Sequence, residues 1–431
     1  MKSKKFRTRI VSLASISLLA LSAVTACSGG GNSGGGKTTV TWTTWGDPGE
    51  LARYKQFDQQ FMKTHPNINV VFQPVASYSD YNAKLLTELS SHTAPDVFYV
   101  GDDQIGKFVS THQLEPLNNI LDKSKTISAG LFAPGLYGAA KSGSTYYGVP
   151  TDCNPDAFWY NKTTLRDAGI TQDPATLASE GKWTLSTFLS MVKTLHSHGI
   201  AGAGFWNYWS TPYSWISQYG GKIYNASGKF VLPQDPTSVQ ALTVLAHLFQ
   251  NKTFDVLDTL PSGQSDTMFL THKLGFYVQG RYTIATIKQG GNASDYDVAP
   301  WPSKTGKVMP SGVATAYLAI NKSTPHQSAA ATFLQAYVNA QGQTLRLAGG
   351  GNAVPSIKNT SADKVVLGYP AHARFLLQMR SLGFEDFAPE AAVPGLSTDM
   401  ANVYLDLYQG KISVQQALTQ LSALAAKESS R

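Results

Sequence analysis

From Thr39 onward the apolar positions alternate between two periods. Thr39–Trp45 is a run of β-branched and aromatic residues and predicts a strand. Leu51, Tyr54, Phe57 and Phe61 then recur at helical spacing within Glu50–His65, and Pro66 follows at once. Ile68–Phe72 predicts a second strand, Tyr81, Leu85, Leu86 and Leu89 a second helix, and Asp96–Val100 a third strand. Strand, helix, strand, helix, strand is the order of a parallel α/β sheet. A new series starts after Gly148–Asp152. Ala157–Tyr160 predicts a strand, Leu165–Gly169 the end of a short helix, and Thr184 an N-cap for a helix bearing Leu185, Phe188, Leu189, Val192 and Leu195. Val239–Phe249 predicts a helix, and Leu274–Val278 and Tyr296–Ala299 predict strands. Pro300-Trp301-Pro302 must be extended, with a strand over Ala316–Ile320 and a helix over Ser328–Ala340 beyond it. The C-terminal region is helical, anchored by Tyr404, Leu407, Ile412, Leu418, Leu421 and Leu424.

The first 36 residues follow another pattern. Lys2, Lys4, Lys5, Arg7 and Arg9 precede the apolar run Ile10–Val24, which is closed by Val24-Thr25-Ala26-Cys27. That is the layout of a secretory leader, and the run is short for a membrane span, which needs about 20 apolar residues. Leu21 with Val24–Cys27 resembles the bacterial lipobox, which implies cleavage after residue 26 and acylation of Cys27. Residues 27–37, rich in Gly and Ser, are expected to be a flexible tether. The reading places the protein on the extracytoplasmic face of the cell membrane, held by lipid.

The leader carries five of the cations behind the formal charge of +7, so the rest of the chain is +2. That removes the electrostatic case for a nucleic-acid partner. With Cys27 acylated, Cys153 is the only cysteine left, expected as a small buried residue. Gly349-Gly350-Gly351 lacks the Lys and Ser/Thr of a phosphate loop. His196 and His198 are a close His pair without a nearby acid or Cys, so no metal and no other cofactor is expected.

Several phrases occur in an order that resembles the family 1 extracellular solute-binding proteins of ATP-driven (ABC-type) sugar importers, the group that includes maltose-binding protein. They are Ala94-Pro95-Asp96-Val97, Tyr147–Pro150, Trp159–Lys162, Gly275–Gly280 with Arg281-Tyr282, Asp297–Pro302 and Gly351–Ser356. The resemblance implies an α/β, two-lobed periplasmic-binding-protein fold, class II-like, with a ligand cleft between the lobes and a helical C-terminal region. Lobe 1 would be 38–151 plus 302–355 and lobe 2 would be 152–301 plus 356–431. It also implies a non-enzymatic, monomeric protein that captures an oligosaccharide and delivers it to membrane permease subunits.

A sugar offers apolar C–H faces and a rim of hydroxyls, so aromatic platforms and carboxylate acceptors are the residues to seek. Phe205–Trp209 is the densest aromatic cluster; Gly202, Gly204 and Pro212 suggest a loop around it, with Trp206 and Trp209 as platforms. Tyr282 stands where the family commonly presents tryptophan. Trp45 and Asp47 follow the first strand, Asp102 and Asp103 the third, and Asp152 the first crossing. Phe384, Glu385 and Asp386 lie in a loop that closes over the sugar in relatives, and Gly312 could offer a backbone N–H. Glycerol-phosphate or polyamine cargo in the same fold is the alternative, with a membrane-anchored glycoside hydrolase behind it. A phosphate would want a cluster of Arg or Lys, for which Arg281 is the evident candidate.

Overall fold

A computed structural model describes residues 36–290, 292–349, 351–358, 361–384, 390, 393 and 395–428. The leader 1–26, Cys27, most of the tether, Glu385 and Asp386 lie outside the described residues.

Two sheets carry the chain from Lys37 onward. The first is formed by β1 (Thr38–Thr43), β2 (Ile68–Phe72), β3 (Val97–Gly101), β6 (Val149–Pro155), β12 (Val313–Ile320) and β13 (Val354–Pro355), in the order β13-β6-β12-β3-β1-β2. The hairpin β4 (Lys141–Ser142) and β5 (Thr145–Tyr146) stands apart from it. The second sheet holds β7 (Ala157–Asn161), β8 (Ala201–Phe205), β9 (Phe254–Val256), β10 (Leu274–Gln279) and β11 (Tyr296–Ala299), in the order β11-β7-β10-β8-β9. β1 pairs in parallel with β2 and β3 as the alternation requires, while β12 runs antiparallel to β3 and β6. Each sheet is mixed: β12 and β13 run against the other strands of the first, and β7 against those of the second.

Each sheet has its own core. Trp42 of β1 stacks on Phe72 and meets Phe333 and Tyr337, against which Phe57 of helix Pro48–Thr64 also packs. In the second lobe Phe188, on the helix capped by Thr184, packs on Phe158 and Phe276, and Trp301 closes on Phe158. Cys153 is buried, as expected of a small apolar residue.

One sequence expectation needs correcting. Gly202 and Gly204 lie in β8, and Pro212 sits in the first turn of helix Ser210–Tyr219, where a missing N–H is tolerated. The glycines permit close approach: a Cβ on Gly202 would stand 2.8 Å from the Thr253 carbonyl oxygen, and one on Gly204 2.6 Å from Leu257. The connections between the two sheets can be followed residue by residue. β6 pairs with β12 as far as Pro155, so Asp156 alone separates the two sheets there. On the return, Leu185 N–H donates to the Ser303 carbonyl (3.0 Å), Lys304 N–H to that of Gln218 (3.0 Å) and Ser217 Oγ to that of Pro310 (2.7 Å). These bonds keep 303–310 on the second lobe, and β12 begins only at Val313.

Candidate ligand-binding cleft

The strand ends of both sheets open on a cavity of about 700 Å³, the position at which open α/β sheets bind ligands. On the first-lobe side Trp45, just beyond β1, meets Tyr78 edge-on at 4.6 Å and Tyr99 at 5.7 Å between ring centroids. Asp47 caps helix Pro48–Thr64, its Oδ1 accepting from Glu50 N–H (2.9 Å), while its Oδ2 accepts from Asn352 Nδ2 (2.5 Å). Glu50 is pushed up to about 7 by burial and then by the neighbouring Asp47 charge.

Asp102 is buried at the end of β3 and accepts from the Tyr208 hydroxyl at 2.5 Å. Tyr208 follows β8, so this bond joins the lobes across the cleft. Burial, followed by the charge of Asp103, pushes Asp102 up to about 7. Asp152, on β6, is held by Arg346 (Nη1 to Oδ2, 3.1 Å) and the Tyr99 hydroxyl (3.3 Å), yet burial still raises its carboxyl. Arg346 itself is fully buried, donates to the Thr151 carbonyl (3.1 Å) and lies 3.9 Å over the Tyr337 ring.

The second lobe contributes Trp206 beyond β8 and Tyr282 beyond β10, the Trp206 indole lying beside the Tyr282 hydroxyl. Tyr282 is 37% exposed, unusual for a ring in so enclosed a place. Asp156, between β6 and β7, accepts from Ser210 Oγ at 2.7 Å, and burial pushes it up to about 7. Asp258 holds the backbone N–H of Asn207 at 2.5 Å.

Of the residues singled out in the sequence, Trp45, Asp47, Asp102, Asp152, Trp206 and Tyr282 meet in this cavity. The others among the described residues stand elsewhere. Asp103 turns to the Tyr78 hydroxyl and lines an adjoining pocket of about 450 Å³ that also takes Trp209. Trp209 is 4% exposed and packs on Tyr208, Tyr213 and Phe384. The Gly312 N–H donates to Ser214 Oγ (2.8 Å), and its missing Cβ makes room for Trp209 and Ser210. Phe384 bridges to Gly312 at the edge of a separate pocket of about 150 Å³.

Sequence reading passed over Glu50, Tyr54, Tyr78, Tyr99, Asn154, Asp156, Asn207, Tyr208, Asp258, Thr315 and Asn352, all of which line the cavity. Two signals were present. Asp152, Asn154 and Asp156 alternate along an extended segment and so share a face, and Glu50 and Tyr54 stand four apart on one helix. Tyr78 and Tyr99 reach the cavity through tertiary packing alone.

Residues 45–344 match the family model described as bacterial extracellular solute-binding protein. A maltotriose-binding protein of Pyrococcus abyssi is 24% identical over 60% of this chain; the match spans 53% of that relative, about half its length. An ABC substrate-binding protein from Listeria monocytogenes, solved with cycloalternan, superposes with a TM-score of 0.77 at 19% identity, covering 91% of this chain and 98% of the other. The GacH receptor of Streptomyces glaucescens, solved unliganded and with acarbose, gives 0.75 at 20% identity over 91% and 98%. These likenesses establish the two-lobed α/β fold. With the family model matching well over half its length, the chain belongs to the bacterial extracellular solute-binding proteins.

Proposed function

We propose that the protein captures a carbohydrate, an oligosaccharide, between its lobes and delivers it to the permease of an ABC importer. The observation that carries this reading is the pairing of walls in one cavity: Trp206 and Tyr282 from one lobe face carboxyl acceptors Asp47, Asp102 and Asp152 from the other. Flat rings suit the C–H faces of a sugar, and fixed acceptors suit its hydroxyls. The relatives described above, one a maltotriose-binding protein and others solved with cycloalternan or acarbose, support the same ligand class. A phosphorylated cargo fits poorly, because no Lys, Arg or His lines the cavity among the described residues. We assign lobe 1 to the first sheet and lobe 2 to the second with the C-terminal helices; the cleft closes as ligand bridges the two.

Thermal-shift measurements against a panel of oligosaccharides test the assignment. A ligand present at about 100 times its Kd adds about 2.7 kcal/mol of stability, and silence across the panel would reject the carbohydrate reading. The anchoring proposed for Cys27 is tested separately. Cys27→Ala should leave the chain unprocessed or shed it to the medium; a processed Cys27→Ala protein that still fractionates with membranes would refute it.

A further inference from the structure

The cavity's charge is one-sided. Asp47, Glu50, Asp102, Asp152, Asp156 and Asp258 line it, and no basic side chain does so among the described residues. The nearest cations are already committed. Arg346 lies behind Asp152 and is spent on Asp152, Tyr99 and Thr151. Arg281, beside Tyr282, points its guanidinium away to the carbonyls of Gly351 and Val365. Arg53 donates from its Nε to the Arg346 carbonyl at 3.0 Å.

Asp156, like Asp258 and Glu50, accepts a single hydrogen bond, and it is set apart by its neighbours. Asp47 is tied to Asn352 and its helix cap, Asp102 to Tyr208, Asp152 to Arg346 and Asp258 to the Asn207 backbone. Asp156 takes one hydrogen bond, from Ser210 to Oδ2, and leaves Oδ1 to the cavity. It sits close enough to Tyr282 to raise that phenol by its charge, and Trp206 lines the same cavity beside the Tyr282 hydroxyl. A carboxylate beside two aromatic side chains, in a cavity lined by no cation among the described residues, is an arrangement that can receive an ammonium group: the charge pairs with the carboxylate and a ring lies within reach.

We infer that the cleft selects an amine-bearing saccharide, its protonated amine seated between Asp156 and the Trp206–Tyr282 rings. The inference rests on the carbohydrate reading and narrows it to one substrate class. Burial holds Asp156 partly neutral near pH 7, and an arriving ammonium would offset the desolvation that keeps it so.

Calorimetric titration of the purified full chain with matched tetrasaccharides tests this. Each pair shares one linkage and differs only in carrying 2-amino groups, N-acetyl groups or hydroxyls, with spermidine as a further probe. The amino form should bind at least tenfold more tightly than its acetylated and hydroxyl counterparts near pH 6.5, and raising the salt concentration should narrow the gap. In Asp156→Asn the ratio between amino and hydroxyl forms should fall toward one. Equal or tighter binding of the hydroxyl form by the wild type overturns the inference and leaves the carbohydrate reading intact, whatever the variant does. Binding of spermidine with none of the saccharides overturns both, as does binding of nothing in the series. A wild-type preference that persists undiminished in a folded Asp156→Asn protein removes Asp156 from the amine site.

Discussion

The first-lobe wall of the cleft meets a ligand with polar groups that already have partners, and the second-lobe wall with rings that do not. Asp152 is fixed by Arg346 and Tyr99, Asp47 by Asn352, and Trp45 is wedged against Tyr78 and Tyr99. Across the gap Tyr282 keeps 37% of its surface open, and Trp206 lines the same cavity. The difference is one of tolerance. On the carbohydrate reading proposed above, bound carboxyl groups cannot turn to follow a ligand and would read the direction of its hydroxyls, while ring faces accept many orientations and contribute contact area.

That contrast can be broken from either side, and the largest effect should come from the first lobe. Arg346→Leu leaves Asp152 buried without its cation and should destabilise the protein by about 3–5 kcal/mol in urea unfolding. Adding Asp152→Asn to that variant should recover part of the loss; a change under ~1 kcal/mol in the single variant would show that the wall is not held by this pair. Trp206→Ala acts on the second wall and should weaken ligand binding by about 2 kcal/mol, roughly thirtyfold, with a smaller change in unfolding stability. Calorimetry decides it: an unaltered Kd takes Trp206 out of the contact surface. Tyr208→Phe removes the hydrogen bond that joins the walls and should weaken binding by about 1 kcal/mol. Small-angle scattering should then give a larger radius of gyration for the unliganded variant than for wild type, and equal radii would mean the bond does not hold the lobes.

The smallest effect concerns protons. Asp102 and Asp156 in the cleft and Asp58 behind Trp42 are pushed from the ordinary 3.8 up to about 7, and Glu50 rises from 4.5 to the same value. Between those limits the folded state holds protons that the unfolded chain has released, so stability falls as pH rises through the window. Tm of the unliganded protein should thus be a few degrees higher near pH 5.5 than near pH 7.5, and Asp156→Asn should flatten that slope. A Tm that climbs steadily from acid to neutral pH would contradict the burial of these groups.

Much of the architecture was legible because it is written locally. Ile68–Phe72 and Tyr296–Ala299 are strands over their expected spans, and Thr184 caps its helix, accepting from Thr187 N–H at 3.1 Å. The aromatic cluster after β8 was visible as a cluster, but not its division of labour. Trp206 faces the cavity and Trp209 turns into packing against Phe384, a choice made by the helix that starts at Ser210. Asp102 and Asp103 present the same difficulty. Both open one helix, and only the neighbouring Tyr208 and Tyr78 decide which carboxyl goes where. Such choices depend on residues 25 and 106 positions away, which periodicity cannot reach.

Asp156 is a connector one residue long, and that has a kinetic consequence. If the sheets turn relative to one another, a residue on the pivot barely moves, while a group that spans the two sheets, as the Tyr208 hydroxyl does to Asp102, parts from its partner. A ligand group held by Asp156 meets the same partner before and after the turn. Contacts at the pivot thus govern how fast a ligand is first retained, and contacts that span the sheets how slowly it departs. Substitutions at Asp156 and Tyr208 should separate on that basis, the first falling on the association rate constant and the second on the dissociation rate constant.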